Sequence, residues 1–375
     1  MSTGNIENGY PKSNELNKVS KQTPDVWLDT VTPKISIAIH ALLPHLHAKG
    51  CSTIVTAKNA TQTTDMLDVL KVPYHRVGSY GTTLKEKLAV EQKRTLEFID
   101  LFDKIGYPRV LWTHGDVSAI RTAFGLNIPI VYANDTLFAY HVAKLAVPLV
   151  DWLVAPVSFG KSWSKFGIPR SRIILYDGLE EIAWLKDRGY DTPSFLRELS
   201  NKKPVILFRD AEYSASYCKE VKIDSQSLLR ELAKIATIVY LPRYEEEKEK
   251  LKEIDNIWMP PRPVLTAQLI PYVDLMVGSG GTACRETALS GIPTINFHFW
   301  DVQAQYILRK GFPIQIIRKM DKIVRTARRI LENPDQHKMN TENALQRIES
   351  PLPVWSKYIS GCLEERIHGK RIRTC

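Results

Sequence analysis

The stretch Val277-Gly278-Ser279-Gly280-Gly281-Thr282-Ala283-Cys284-Arg285-Glu286-Thr287-Ala288-Leu289-Ser290-Gly291-Ile292-Pro293 decides the fold. A short apolar strand runs into a glycine-rich turn, and a helix follows. The glycines permit positive φ and let a bound group come close to the backbone. Free N–H groups at the helix start, together with the helix dipole, favour an anion such as phosphate by roughly 0.3–1 kcal/mol. Ser279, Gly280, Gly281 and Thr282 are therefore candidate phosphate contacts. Glu286, one turn further on, is a candidate acceptor for sugar or ribose hydroxyls. The spacing is not that of the dinucleotide fingerprint G-x-G-x-x-G, and the lysine of a P-loop is missing. The alternative reading is a tight strand–helix turn with no ligand.

Outward from this stretch, short apolar runs alternate with helical spacing from Asp25 onward, the pattern of βαβ units on a parallel sheet. In the first half, strands are expected at 26–28, 52–56, 74–77, 109–112, 128–132, 149–154 and 172–175. Helices are expected at 33–49, 60–70, 84–105 and 118–124. In the second half, strands are expected at 204–208, 237–241, 275–277 and 294–297, the last closing the series. The scheme repeats, so the fold class is α/β with two Rossmann-like domains and a cleft between them. The expected domains are 25–190 and 200–350, with a linker near 186–203 where Gly189, Pro193 and Pro204 cluster with charges. Residues 1–24 read as a disordered polar tail, and 351–375 as a C-terminal helix and basic tail that packs back onto the first domain.

A chain of 375 residues fits one large domain or two ordinary ones, and 44% apolar with 25% charged residues excludes wholesale disorder. No apolar run approaches the ~18 residues of a membrane helix, and the first 24 residues lack the apolar core of a signal peptide. Five scattered cysteines form no C-x-x-C pair, so a reducing cytoplasm is the expected location. The net charge is +10, and residues 302–375 hold 15 Lys and Arg against 7 Asp and Glu. That basic region is either a solvated helical face or a contact for an anionic membrane surface. No nucleic-acid motif accompanies it, and no specific nucleic acid is expected.

In doubly wound sheets ligands bind beyond the carboxyl ends of the strands. Polar residues follow the strands at Asp29 to Lys34, at His114-Gly115-Asp116, at Asn134-Asp135 and at Arg209-Asp210. An imidazole and a carboxylate at such a point suit acid–base work, so His114, Asp116 and Asp29 are the catalytic candidates. Asp116 can equally be the N-cap of the next helix, and Asp29 can simply hold its turn. Asn134 and Asp135 either bind hydroxyls or cap a helix. His40, His45 and His47 do not share one helical face with a carboxylate, so no metal ligand set is expected.

These residues taken together resemble a GT-B-like family of unknown function, widespread in archaea (domain of unknown function 354). That family is related to GT-B glycosyltransferases and to non-hydrolysing UDP-N-acetylglucosamine 2-epimerases. The resemblance rests on Trp27-Leu28-Asp29-Thr30 with Thr32-Pro33-Lys34, on His114-Gly115-Asp116 with Ala123-Phe124-Gly125, and on Asn134-Asp135. It continues through Tyr176-Asp177-Gly178-Leu179-Glu180-Glu181, Leu241-Pro242-Arg243 and the Gly-Ser-Gly-Gly-Thr loop with Arg285-Glu286, spanning about 25–320. It implies that the second domain holds a nucleotide-sugar donor, a UDP-sugar first among candidates, at Ser279, Gly280, Gly281, Thr282 and Glu286. Arg209 or Arg243 would neutralise the departing diphosphate. The first domain would supply the base for an unidentified acceptor, with no bound metal or cofactor.

Pressed residue by residue, the epimerase likeness keeps Gly115-Asp116. The Glu-Ala-Gly segment of those enzymes becomes Ala133-Asn134-Asp135 here, and the histidine expected near Phe208-Arg209-Asp210 is absent. The expected function is a metal-independent glycosyltransferase using a nucleotide-sugar. The alternatives are a sugar-nucleotide 2-epimerase or hydrolase, and a non-catalytic nucleotide- or glycan-binding protein.

Overall fold

A computed structural model describes residues 23–185, 190–210, 223–242, 245–279, 281–298 and 301–367. Most of the expected tail, part of the expected linker, and the candidate residues Gly280 and Arg243 lie outside the described residues.

The first half runs β1 (Val26–Thr30), α1 (Pro33–His47), β2 (Thr53–Ala57), α2 (Thr61–Val69), β3 (His75–Arg76) and α3 (Leu84–Ile105). It continues with β4 (Val110–Thr113), α4 (Val117–Gly125), β5 (Ile130–Ala133), α5 (Tyr140–Ala146), β6 (Trp152–Pro156), β7 (Ile173–Tyr176) and α6 (Ile182–Leu185). The second half holds β8 (Val205–Arg209), α7 (Ser225–Ala233), β9 (Thr237–Tyr240), α8 (Glu245–Leu251), β10 (Ile257–Trp258), α9 (Thr266–Leu269) and β11 (Leu275–Gly278). After it come α10 (Gly281–Leu289), β12 (Thr294–Asn296), α11 (Val302–Arg309), β13 (Ile314–Ile316), α12 (Met320–Glu332), α13 (Pro334–His337), α14 (Glu342–Leu345) and α15 (Pro351–Ile367).

The strands form two separate parallel sheets, β3-β2-β1-β4-β5-β6-β7 and β10-β9-β8-β11-β12-β13. Strand order reverses between β1 and β4 in the first and between β8 and β11 in the second, which opens a crevice at the carboxyl ends there. Asp29 pairs in register with Thr113, and Arg209 with Gly278, so the polar residues after these strands stand side by side. The sequence series of strands ended too early. β13 follows 294–297, and its middle residue Gln315 is exposed, which breaks the apolar run. β10 is a two-residue edge strand and gives no periodic signal.

Alternation along β1 sorts the helices. Val26 and Leu28 pack with α1 residues Ile35, Ile39 and Leu42, whereas Trp27 packs edge-on to Phe98 and Phe102 of α3. The core on the α1 face crosses into the second half, because Ala288 and Leu289 of α10 and Ala304 and Ile307 of α11 belong to it. α15 completes that core. Trp355 is fully buried with its ring 5.1 Å from Trp112 of β4, and Ile359, Cys362 and Leu363 follow it down the same face. In α12, Ile323, Ala327 and Ile330 are buried while Lys322, Arg325, Arg328 and Arg329 are exposed, so its share of the C-terminal positive charge is the solvated face of an amphipathic helix.

Truncating Trp355→Ala removes a large side chain from a closed site between α15 and β4, a change that costs about 3–5 kcal/mol in such cores. Urea unfolding monitored by circular dichroism should show a loss of this size.

Candidate active site in the crevice

Each strand end contributes one part of the site. After β1, Thr32 caps α1 by accepting from the Ile35 N–H, and Pro33 occupies the first turn. This start puts Lys34 at the mouth of the crevice, where its ammonium contacts Asp135 Oδ2 and lies 2.6 Å from Glu180 Oε2. After β4, His114 is followed by Gly115 at φ +88°, a left-handed turn that aims the imidazole back over the sheet. His114 Nε2 lies 3.2 Å from Asp135 Oδ1 and 3.1 Å from Glu180 Oε2. Asp135 follows β5, and Glu180 and Glu181 follow β7.

From the second half, Arg285 of α10 reaches across. Its Nε donates to Glu181 Oε1 at 2.8 Å, and its Nη2 lies 2.7 Å from the same oxygen and 3.2 Å from Asp135 Oδ2. Nη1 is 3.6 Å from Asp301, which also caps α11 by accepting from the Ala304 N–H at 2.9 Å. The crevice is thus closed by an ion network in which three cationic groups, Lys34, His114 and Arg285, meet Asp135, Glu180 and Glu181.

Burial and neighbours act against each other here. Burial disfavours a charged His114, but Glu180 and the contacts to Asp135 and Glu180 outweigh it and push the ring up to about 9. Burial likewise opposes the charge on Lys34, and Asp135, Glu180 and Glu181 overcome it, raising the lysine. Burial would raise Asp135, yet Lys34, His114 and Arg285 hold it well below the usual carboxylate range. Glu181 shifts up, because its burial exceeds the help it receives from Arg285 and Lys34. Glu180 Oε1 and Glu181 Oε2 are buried, and neither has a hydrogen-bond partner among the described residues. His114, Asp135 and Glu180 offer ligand atoms within 4.8 Å of one another, a donor set able to hold a divalent cation. The ammonium of Lys34 rests against two of those carboxylates and supplies positive charge at the same place.

The structure divides the residues singled out by sequence into two groups. His114 and Asp135 stand in the crevice with Lys34, Glu180, Glu181 and Arg285. In the sequence those four stand only inside the motifs that carry the family resemblance, and nothing in their spacing tells that they converge. Asp29 and Asp116 lie behind, joined by the buried Arg94 of α3. Arg94 Nη2 meets Asp29 Oδ1 at 2.8 Å and Nη1 meets Asp116 Oδ2 at 2.7 Å. Asp116 also accepts from the Ala119 N–H at 2.6 Å as the cap of α4. Asp29 is fully buried and accepts from Thr56 Oγ1 at 2.5 Å; burial, only partly offset by Arg94, pushes it up to about 7. Asn134 is buried and spends its amide oxygen on the Thr136 N–H.

In the second half, Ser279 stands at the end of β11 with its hydroxyl buried and without a partner among the described residues, and Gly281 and Thr282 open α10. Arg209 donates through Nη1 to the carbonyls of Leu241 and Pro242, which fixes its guanidinium between β8 and β9. Glu286 is only 4% exposed and accepts from Trp184 Nε1 of the first half at 2.6 Å, so it is a joint between the halves. Burial pushes Glu286 up to about 7, against its hydrogen bonds from Thr266 and Trp184.

Two measurements follow. Arg94→Met leaves two buried carboxylates without their partner and should cost about 3–5 kcal/mol in urea unfolding. Glu286 binds its proton more tightly folded than unfolded, so the unfolded chain carries fewer protons between about 4.5 and about 7. Its contribution to stability is therefore present at acidic pH and declines as pH rises through that window. Unfolding free energies at pH 5, 6 and 7 should lose that component of the slope in Glu286→Gln.

A solved structure of UDP-GlcNAc 2-epimerase from Neisseria meningitidis bound to UDP-GlcNAc is similar with a TM-score of 0.67 at 16% identity, over 91% of this chain and 100% of that one. The spinosyn forosaminyltransferase SpnP is similar with a TM-score of 0.57 at 14% identity, over 90% of this chain and 100% of that one. At these identities the likeness is one of fold, and the fold is GT-B-like. In sequence, the uncharacterized protein MJ0665 of Methanocaldococcus jannaschii is 29% identical over 281 residues, covering 72% of this chain and 81% of that protein. Residues 24–352 match the family model described as "Protein of unknown function (DUF354)", and the chain belongs to that family.

Proposed function

We propose that the protein is an enzyme that binds a nucleoside-diphosphate sugar in the crevice and transfers the sugar to an acceptor hydroxyl. The observation that supports this reading is the convergence of Lys34, His114, Asp135 and Glu180 at the carboxyl ends of one sheet, opposite the glycine turn of the other. Ser279, Gly280, Gly281 and Thr282 then face the diphosphate, whose charge the start of α10 and either Arg209 or Arg243 offset. A UDP-sugar is the first donor to test, since UDP-GlcNAc is what the similar Neisseria enzyme is bound to.

In the transfer, the bond from the sugar's anomeric carbon to the diphosphate oxygen breaks as the bond to the acceptor oxygen forms. Glu180, with one oxygen unpartnered, takes the acceptor's proton, and the nucleoside diphosphate leaves with the bond electrons. His114, held cationic by its two carboxylates, steadies negative charge in the crevice. Asp29 and Asp116 act behind the site by holding Arg94 and the start of α4. Glu286 keeps α10 against α6 and does not reach the donor's hydroxyls. Contact of the basic C-terminal region with an anionic membrane, and a cytoplasmic location, are part of the same reading. Lys370, Arg371 and Arg373 lie outside the described residues.

A second reading, sugar-nucleotide epimerisation by elimination and readdition, is favoured by one observation. Several acid–base groups, His114, Asp135 and Glu180 among them, share the crevice.

Incubation with UDP-, GDP- and dTDP-sugars, followed by mass spectrometry, separates the readings. Nucleoside diphosphate released only with an acceptor supports transfer, and a sugar isomer at unchanged mass supports epimerisation. Absence of turnover with nucleotide binding refutes both. With the true substrate, Glu180→Gln should lower kcat by about 10²–10⁴-fold. Asp116→Asn, still a good cap, should keep turnover within about tenfold.

A further inference from the structure

We propose that a cavity beside the crevice is a subsite for the apolar part of a phosphate-bearing, amphiphilic acceptor, an inference that rests on the transfer reading. The cavity, about 200 Å³, is lined by Leu137, Phe138, Tyr140, Phe159, Lys165 and Val302. Its position follows from the chain. Leu137 is two residues beyond Asp135, and Val302 directly follows Asp301, which touches Arg285. The cavity therefore lies next to the ion network and takes walls from both halves, where an acceptor reaching for a donor-bound sugar has to lie.

Its chemistry is mixed in one particular way. Five of the six lining side chains are apolar or aromatic, and Tyr140 remains 46% exposed. Two exposed ammonium groups stand over the same aromatic surface. Lys144 is 4.7 Å from the centre of the Tyr140 ring, and Lys165 is 5.7 Å from that ring and 5.1 Å from Phe166. Tyr140 is itself held edge-on to Phe166 at 5.2 Å, so the aromatic wall is fixed in place.

Between residues 136 and 176 the chain carries Lys144, Lys161, Lys165, Arg170 and Arg172, and its single acid is Asp151. Asp151 is buried and accepts from the Ile130 N–H at 2.9 Å. No carboxylate on this stretch is therefore placed at the surface to repel an anion or to neutralise the lysines. An apolar cavity with cations at its rim selects a ligand with an apolar body and an anionic end. The volume takes a ring or a short run of alkyl chain, and the lysines take the phosphate.

The test is calorimetric titration of the full-length protein with decyl phosphate, kept below its micelle threshold. Saturable one-to-one binding is expected, with decanol and inorganic phosphate each binding at least about tenfold more weakly. Tyr140→Ala and Lys165→Glu should each weaken decyl phosphate at least about tenfold, with the thermal midpoint and nucleotide-sugar binding unchanged. Wild-type protein that shows no saturable binding, or variants that bind as wild type does, overturn the proposal.

Co-sedimentation with phosphatidylglycerol vesicles distinguishes the sources of the phosphate. Sedimentation lost in both variants assigns it to a lipid headgroup, and decyl phosphate binding without sedimentation assigns it to a soluble alkyl or aryl phosphate. Decyl phosphate that fails to bind a protein still turning over nucleotide-sugar removes the subsite alone. Decyl phosphate binding at Tyr140 and Lys165 without any nucleotide-sugar binding removes the transfer reading alone.

Discussion

One guanidinium organises this molecule. Arg285 is buried where the two halves meet, and a buried cation is tolerated only with well-placed counter-charges. Asp135 and Glu181 come from the first half and Asp301 from the second, so the demand of one side chain fixes β5, the turn after β7 and the start of α11 relative to one another. The apolar packing of α10 and α11 into the first half's core supplies the area, and it does not by itself specify an orientation. The ion pairs supply the register.

The same rule is applied twice at different depths. Behind the sheet edge, Arg94 is fully buried with Asp29 and Asp116, its remaining Nε–H goes to the Val77 carbonyl, and its stem packs where a Cβ on Gly78 would collide at 2.5 Å. That set is saturated and rigid. In front, Lys34 and His114 keep 17% and 12% of their side-chain surface, and Glu180, which faces both, has one oxygen without a partner among the described residues. An incomplete set of partners beside solvent can exchange contacts with a ligand, whereas a complete and buried set cannot. The division between scaffold and chemistry in this protein follows that difference in saturation.

The repeated alternation of apolar runs and helical spacing made the two sheets legible, because each central strand is buried on both faces and reads as a continuous apolar run. β10 and β13 escaped because short edge strands bury too little to leave a pattern. The passage from β11 into α10 was legible for local reasons, since a close approach is a property of a few consecutive residues: a Cβ on Gly278 would meet the Arg209 carbonyl oxygen at 2.8 Å, although neither Gly278 nor Gly281 takes the positive φ that glycine permits. The front of the site was not. Lys34, Asp135, Glu180 and Arg285 are separated by as much as 251 positions in sequence, and their meeting is a product of strand order. Asp29 and Asp116 carried the right chemistry in the right places after strands. What a single sequence could not show was Arg94, 65 residues from Asp29, arriving from α3 on the face of β1 to which Asp29 points.

The placement of α15 has a consequence for how the chain is made. Its Trp355 covers Trp112, a residue of a central strand laid down more than two hundred positions earlier. While synthesis proceeds from the amino end, the first sheet is complete in strands but lacks the helix that shields one of its faces. Until residues 351–367 clear the ribosome, Trp112 lacks the Trp355 cover that α15 brings to that face. The interval is set by translation of the entire second half, about 10–40 s for some two hundred residues at typical rates. For that whole interval the nascent first half carries an aromatic patch without the helix that later covers it.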